Sequence, residues 1–179
     1  MITTLKGDIT GLDFTIIVNA ANKHLLPGSG VCGAIFSKAG KGLEEECQQL
    51  HGCPTGDAKM TKAYGLRCDR IIHAVGPIYL DGNHQERELL ESCYWNSLCL
   101  AYSYVREQNL EKCTLAFPCI STGIYGFPRE EACQIAVKTV KTLMRQYPDA
   151  KVIDVIFVCY LQEDYALYKE ELKKYEIYG

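Results

Sequence analysis

Val18-Asn19-Ala20-Ala21-Asn22, running into Gly28-Ser29-Gly30-Val31-Cys32-Gly33, is the stretch that decides the fold class. An apolar run from Phe14 to Val18 ends in asparagines; glycines follow, then a segment whose small and apolar residues (Val31, Ala34, Ile35, Ala39) suit a helix. Strand, glycine loop and helix in that order is how an α/β protein builds a ligand loop at the carboxyl end of a strand. The strand predicted over 14–19 is apolar at Phe14, Ile16, Ile17 and Val18 without alternation, as in a strand covered on both faces. Glycines ahead of a helix leave N–H groups unpaired at the positive end of the helix dipole, where a diphosphate can sit. Gly28-x-Gly30-x-x-Gly33 also fits the dinucleotide fingerprint. It does not follow the strand directly, however, and lacks the strand-end acid about 20 residues on, so a Rossmann domain is not expected.

Working outward, residues 2–6 and 70–75 read as strands, with a tight turn at Gly7-Asp8-Ile9-Thr10-Gly11 between the first strand and the second. In that turn Asp8 and Thr10 can offer side-chain oxygens to nearby N–H groups. Helices are predicted from Gly30 and over 42–50, a strand over 58–64, and a long helix over 85–108, where Leu90, Cys93, Tyr94, Ser97, Leu98, Ala101 and Val105 recur at spacings of three and four. A buried strand at 114–117 then runs into a second glycine-bearing loop, Pro118 to Pro128, ahead of another helix. A strand over 151–160 and a helix over 163–175 complete the chain. Strands alternating with helices predict one α/β domain, residues 1–179, whose largely parallel sheet puts the loops 19–33 and 118–127 at the same edge.

Composition narrows the function classes. A net charge of −3 among 179 residues gives no general reason to bind nucleic acid, so an anionic ligand must be held by local N–H groups. No apolar run reaches the ~18 residues of a membrane helix, so no membrane association is expected. Ten cysteines without a recognisable signal peptide point to reduced thiols and a cytoplasmic location. Cys47, His51 and Cys53 are close in sequence but lack a second ligand pair at zinc spacing, and neither a metal nor a cofactor is expected. His73, within an apolar strand, is read as a core histidine with satisfied ring nitrogens.

Gly7-Asp-Ile-Thr10, Val18 to Asn22, Gly28 to Gly40, Ile71 to Pro77 and Pro118 to Pro128 together, in this order and over the full length, resemble a macrodomain, MacroD-like overall and of the Appr-1''-p processing type. The resemblance implies a three-layer α/β/α fold around a mixed, mostly parallel sheet of about six strands, binding ADP-ribose. It assigns Asp8 and Ile9 to adenine recognition, in place of the simple turn role, and Tyr160 to stacking on adenine. Ser29, Gly30 and Val31, with Ser121, Thr122, Gly123, Ile124 and Tyr125, would surround the diphosphate through their backbone groups. Ala21 is among the implied ligand-binding residues, and the distal ribose is the part Asn22 would hold with its amide and Tyr125 would flank. The implied partners are ADP-ribose and mono-ADP-ribosylated proteins, met by a monomer.

The glycine loop departs from MacroD-type hydrolases, which carry Gly-Val-Asp-Gly and a histidine four residues after the aspartate. Here Cys32 and Phe36 stand at those positions. The Gly-Val-Cys pattern is similar to that of alphavirus macrodomains, which implies removal of ADP-ribose from acidic side chains, with Asn22, Gly30 and Tyr125 as the residues that would serve turnover. O-acetyl-ADP-ribose is a further implied substrate. A reader module that binds without turnover is the alternative. Cys32 as a nucleophile is disfavoured, because no histidine lies within the next helical turn to activate it; a packing or ribose-lining role is expected.

Overall fold

The computed structural model describes residues 1–178. Its strands are β1 (Ile2–Lys6), β2 (Ile16–Ala21), β3 (Ala58–Lys62), β4 (Arg70–Val75), β5 (Cys113–Phe117) and β6 (Ile153–Cys159), joined in one sheet of order β1-β6-β5-β2-β4-β3. Every pairing is parallel except β3 with β4, so the sheet is mixed and mostly parallel as expected. Helices α1 (Gly30–Ala39) and α2 (Lys41–Gln49) cover one face; α3 (Glu86–Gln108), α4 (Arg129–Gln146) and α5 (Gln162–Tyr178) cover the other.

Two cores follow from the alternation of side chains along each strand. In β2, Ile16 and Val18 face α3 and α4, while Ile17 and Ala21 face α1 and α2. The larger core centres on Tyr94, Phe117 and Phe157, whose rings lie 5.0 to 6.3 Å apart. Burying each such ring contributes roughly 2–3 kcal/mol. The Tyr94 hydroxyl also accepts a long hydrogen bond from the Ile120 N–H (3.4 Å), which seats the loop after β5 on the core.

Some boundaries move, for physical reasons. The predicted strand 14–19 lies at 16–21, because Asn19 is an interior strand residue, fully buried, rather than a strand end. The register places it opposite His73, so that its Nδ2 finds a partner at 3.1 Å, while its buried Oδ1 has none among the described residues. The strand predicted from 151 begins at Ile153, after a 3-10 turn over Pro148–Val152. Gln85 is a left-handed cap (φ 60°), and the long helix begins one residue later.

The sheet order fixes the site. The carboxyl ends of β1, β6, β5, β2 and β4 all lie on one edge, bringing Asp8, Tyr160, the 118–128 loop and Asn22 together there. From that edge β2 sends the chain to α1 on one face, and its neighbour β5 sends it to α4 on the other. Adjacent strands whose connections part in this way leave a crevice between them.

Candidate functional site

One wall of the crevice is the start of α1. Ser29 is its N-cap residue but makes no side-chain cap bond, and the first helical bond runs from the Gly33 N–H to the Ser29 carbonyl (3.2 Å). The N–H groups of Gly30, Val31 and Cys32 are thus left for an outside acceptor, at the positive end of the helix dipole. Two glycines are required by the backbone itself. Gly30 adopts φ +59°, and a Cβ on Gly33 would lie 2.4 Å from the Gly28 carbonyl oxygen.

The facing wall is the loop after β5. Ser121 (φ 68°) turns its hydroxyl inward to donate to the Pro77 carbonyl (2.8 Å), and its own carbonyl accepts from the Phe127 N–H (2.9 Å). The Thr122 hydroxyl donates to the Cys119 carbonyl (3.0 Å). Both side chains are buried, so this loop presents backbone and the side chain of Ile124, which is 86% exposed. A Cβ added at Gly30 or at Gly123 would meet nothing within 4 Å, so open space lies beside a glycine on each wall. Gly76 lets the loops meet at the floor, since a Cβ there would lie 2.3 Å from the Ser121 Oγ.

At the β1–β6 end stand Asp8 and Tyr160. Asp8 caps the 3-10 turn Ile9–Gly11, its Oδ1 accepting from the Thr10 hydroxyl (2.6 Å) and the Thr10 N–H (2.9 Å). Those bonds, the hydroxyl first, and the charge of Lys38 hold the Asp8 carboxyl below its usual range. Among the described residues Oδ2 has no partner and remains free to accept. The turn role read from the sequence and a binding role therefore use different oxygens. Ile9 is buried in the core under α1, so only its backbone can serve a ligand. Tyr160 directly follows β6 and is 73% exposed. An aromatic left this open beside a crevice offers a stacking surface.

At the β2 end, Asn22 is tied into its own loop. Its Oδ1 accepts from the His24 N–H (3.2 Å) and the Leu26 N–H (3.1 Å), and its Nδ2 donates to the Leu26 carbonyl (2.8 Å). With both acceptor positions filled, the amide has one N–H left to offer, near Gly28. Toward a ligand the Asn22 amide can therefore donate but not accept. Tyr125 flanks the same end, its carbonyl accepting from the Tyr79 N–H (2.8 Å). Ala21 is buried and contributes backbone alone.

Cys32 faces inward. Its thiol donates to the Leu26 carbonyl (3.6 Å) and accepts from the Asn19 amide (3.7 Å), and burial raises its pKa. It is a packing residue with a protonated thiol, and its N–H alone faces the crevice. Beneath it, the Asn19 Nδ2 also donates to the His73 Nδ1, and the His73 Nε2 donates to the Thr61 hydroxyl (3.0 Å), which in turn donates to the Lys62 carbonyl. His73 is thus the satisfied core histidine foreseen, and burial lowers its pKa to about 4.

Sequence reasoning missed Glu86. Buried at the start of α3, its carboxylate accepts four backbone N–H bonds, from Leu80, Asp81, Gly82 and His84 (2.6 to 3.1 Å), and so shapes the loop after β4. Burial pushes its carboxyl up, but the N–H donors outweigh it and leave the pKa at about 2. An acid in the first helical turn behind Asp81-Gly82-Asn83 was the available signal. Asp81, His84 and Glu86 are a gathering of metal-type donors among the described residues, but the oxygens of Glu86 are already engaged. Cys47, His51 and Cys53 are not brought together: Cys47 packs on His73, and the Cys53 thiol donates to the Pro54 carbonyl. All ten cysteines are free thiols.

A crevice at a parallel sheet's carboxyl edge, walled by an uncapped helix N-terminus and a backbone-lined glycine loop, defines an α/β/α domain built to take an anionic, nucleotide-sized ligand. The Macro domain profile matches residues 18–136, and the chain belongs to that family. A Macro domain-containing protein of Listeria monocytogenes is 46% identical over 173 residues, covering 94% of this chain and 95% of that protein. The ADP-ribose glycohydrolase MACROD2 of Xenopus laevis is 46% identical over 173 residues, 95% of this chain but 39% of its own length. The Oceanobacillus iheyensis macrodomain with ADP superposes with TM-score 0.86 at 38% identity, over 97% of this chain and 90% of that one. The Trypanosoma brucei macrodomain in complex with ADP-ribose gives 0.83 at 32% identity, over 96% and 68%.

Proposed function

We propose that the crevice binds ADP-ribose and that the protein hydrolyses mono-ADP-ribosyl esters on Asp and Glu side chains of proteins, with O-acetyl-ADP-ribose as a smaller ester of the same sugar. The observation that carries this reading is the open space beside Gly30 and Gly123, between two walls that offer backbone rather than side chains. A diphosphate there would receive the N–H groups of Gly30, Val31 and Cys32, and those of the 121–125 loop. Adenine would lie toward the free Asp8 Oδ2 and the Tyr160 ring, and the distal ribose toward Asn22 and Tyr125. The fold relatives solved with ADP and ADP-ribose, and the glycohydrolase relative, support the same reading.

The chemistry must do without a side-chain base in the glycine loop. The Cys32 thiol is buried and protonated, and His73 lies beneath it in the core. A water directed by the remaining Asn22 N–H attacks the anomeric carbon and gives its proton to a diphosphate oxygen of the ligand. The bond from that carbon to the ester oxygen breaks, and the carboxylate leaves as an anion that needs little acid assistance. Gly30 and Tyr125 keep the ribose aligned. The single domain, monomeric state and cytoplasmic location expected from the sequence belong to this proposal.

Release of label from an automodified transferase substrate tests it. Wild type is expected to strip the label, and Asn22→Ala to do so at least ~10-fold more slowly while binding AMP unchanged. A label that persists beside a saturable ADP-ribose site would leave the reader role, which the protonated Cys32 thiol favours.

A further inference from the structure

Two neighbouring cavities open beyond Asn22, over the ends of β2 and β4 and so on the opposite side from Asp8 and Tyr160. The first, about 420 Å³, has Val75, Gly76, Pro77 and Leu89 in its walls, with Asn22 and Tyr125 at the ribose end. The second, about 840 Å³, shares Lys23, His24 and Thr55 with it and continues to His51 and Lys59.

Their lining carries two lysines against one carboxylate, in a chain whose formal net charge is −3. Of the four histidines in the sequence, three line these cavities, His24, His51 and His84, and two lysines join them. The opposing acids are spent: Glu86 on four backbone N–H groups, and Asp81 on His84 (2.9 Å). Lys59 is pinned in the wall, donating to the Leu50 and Gly52 carbonyls (2.9 and 2.6 Å). Among the described residues the side chains of Lys23, His24 and His51 have neither hydrogen bond nor ion pair and point at no other task.

We propose that this groove receives the polypeptide bearing the ADP-ribose, and that it selects acidic residues flanking the modified side chain. The inference rests on the proposed function for its starting point, since Asn22 and Tyr125 must mark where the ribose ends and the acceptor begins. A volume of this size holds the esterified side chain and its neighbours. Lys23 and Lys59 attract carboxylates flanking the modification, the imidazoles of His24 and His51 offer them ring N–H groups, and the same lining meets the carboxylate that departs after cleavage.

Affinity measured by calorimetry, at two salt concentrations, tests it without requiring turnover. The probes are free ADP-ribose and two peptides carrying ADP-ribose through a non-hydrolysable amide in place of the glutamate ester, flanked by acidic residues in one and by glutamines in the other. The acidic peptide is expected to bind about fivefold more tightly than the neutral one at low salt, with the preference shrinking as salt rises. In the double variant Lys23→Gln, His51→Asn the two peptides become equal within about twofold, free ADP-ribose binds as before, and asparagine tolerates the left-handed backbone (φ 56°) at 51. Equal binding of the two peptides by wild type, or a preference that survives the double variant, overturns the groove. Absence of ADP-ribose binding overturns the function reading instead, and tight, discriminating binding by a protein that releases no label from the automodified substrate upholds the groove while leaving a reader.

Discussion

Gly123→Ala separates the ligand from the fold. A Cβ at this position meets no protein atom within 4 Å, and its φ lies outside the left-handed region, so the protein itself gives no reason for glycine. Alanine should restrict the unfolded chain and stabilise the folded one by about 0.4–1 kcal/mol, a rise in Tm of about 1–4 °C at this size. The same methyl stands in the space assigned to the diphosphate. Keeping a phosphate oxygen from one or two loop N–H donors forfeits charge-assisted bonds worth about 1.5–3 kcal/mol each. ADP-ribose affinity should therefore fall at least about tenfold, and by roughly ten-thousandfold where two bonds at the upper figure are lost. Calorimetry with ADP-ribose, paired with a thermal melt of the same preparation, reads both effects. A variant with raised Tm that binds ADP-ribose within about twofold of wild type would refute the placement of the diphosphate.

Gly33→Ala, in contrast, should lower both Tm and affinity, because its Cβ would lie 2.4 Å from the Gly28 carbonyl oxygen and must push the glycine loop aside; an unchanged Kd by calorimetry counts against that loop as the cradle. Stability should fall in acid through His73, whose pKa burial lowers from 6.5 to about 4. The unfolded chain takes up this proton as pH drops below about 6.5 and the folded one only near 4, so stability is whole above that window and declines through it by about 1.4 kcal/mol per pH unit, some 3 kcal/mol in all. Urea unfolding at pH 7.5 and 5.0 shows this decline in wild type, and it should shrink in His73→Gln. Cys32→Asp puts the acid of the MacroD-type loop beside the Asn19 amide, in the packed interior rather than in the crevice, and should lower Tm through the buried charge while leaving ester turnover in the demodification assay within about twofold of wild type.

What was legible in the sequence is what local pattern and spacing determine. The apolar run of β2, the period of α3 and the glycines at 28–33 each report a burial state or a backbone conformation; α3 and the glycine loop lie where expected, and β2 is displaced by two residues. The sheet order and the antiparallel sense of β3 depend on pairings between distant segments, which no local pattern encodes. Asn19 looked like a strand end because polar residues interrupt strands; only its partner on β4, His73, makes it an interior residue. The site loops were legible as loops, but the engagement of the Asn22 amide was not, since its three bonds go to His24 and Leu26 within its own turn. Glu86 was hidden for a similar reason: in sequence it is one more acid at a helix start, and only the folded loop shows four N–H groups converging on it.

The most direct test of the central claim is calorimetric titration of the wild-type protein with ADP-ribose, ADP and AMP, set beside Asp8→Ala. A crevice that runs from Asp8 and Tyr160 at one end to Asn22 and Tyr125 at the other should bind ADP-ribose at one site and most tightly, ADP less so and AMP weakest, and Asp8→Ala should weaken all three. AMP binding as tightly as ADP-ribose, or affinities untouched by Asp8→Ala, would contradict it.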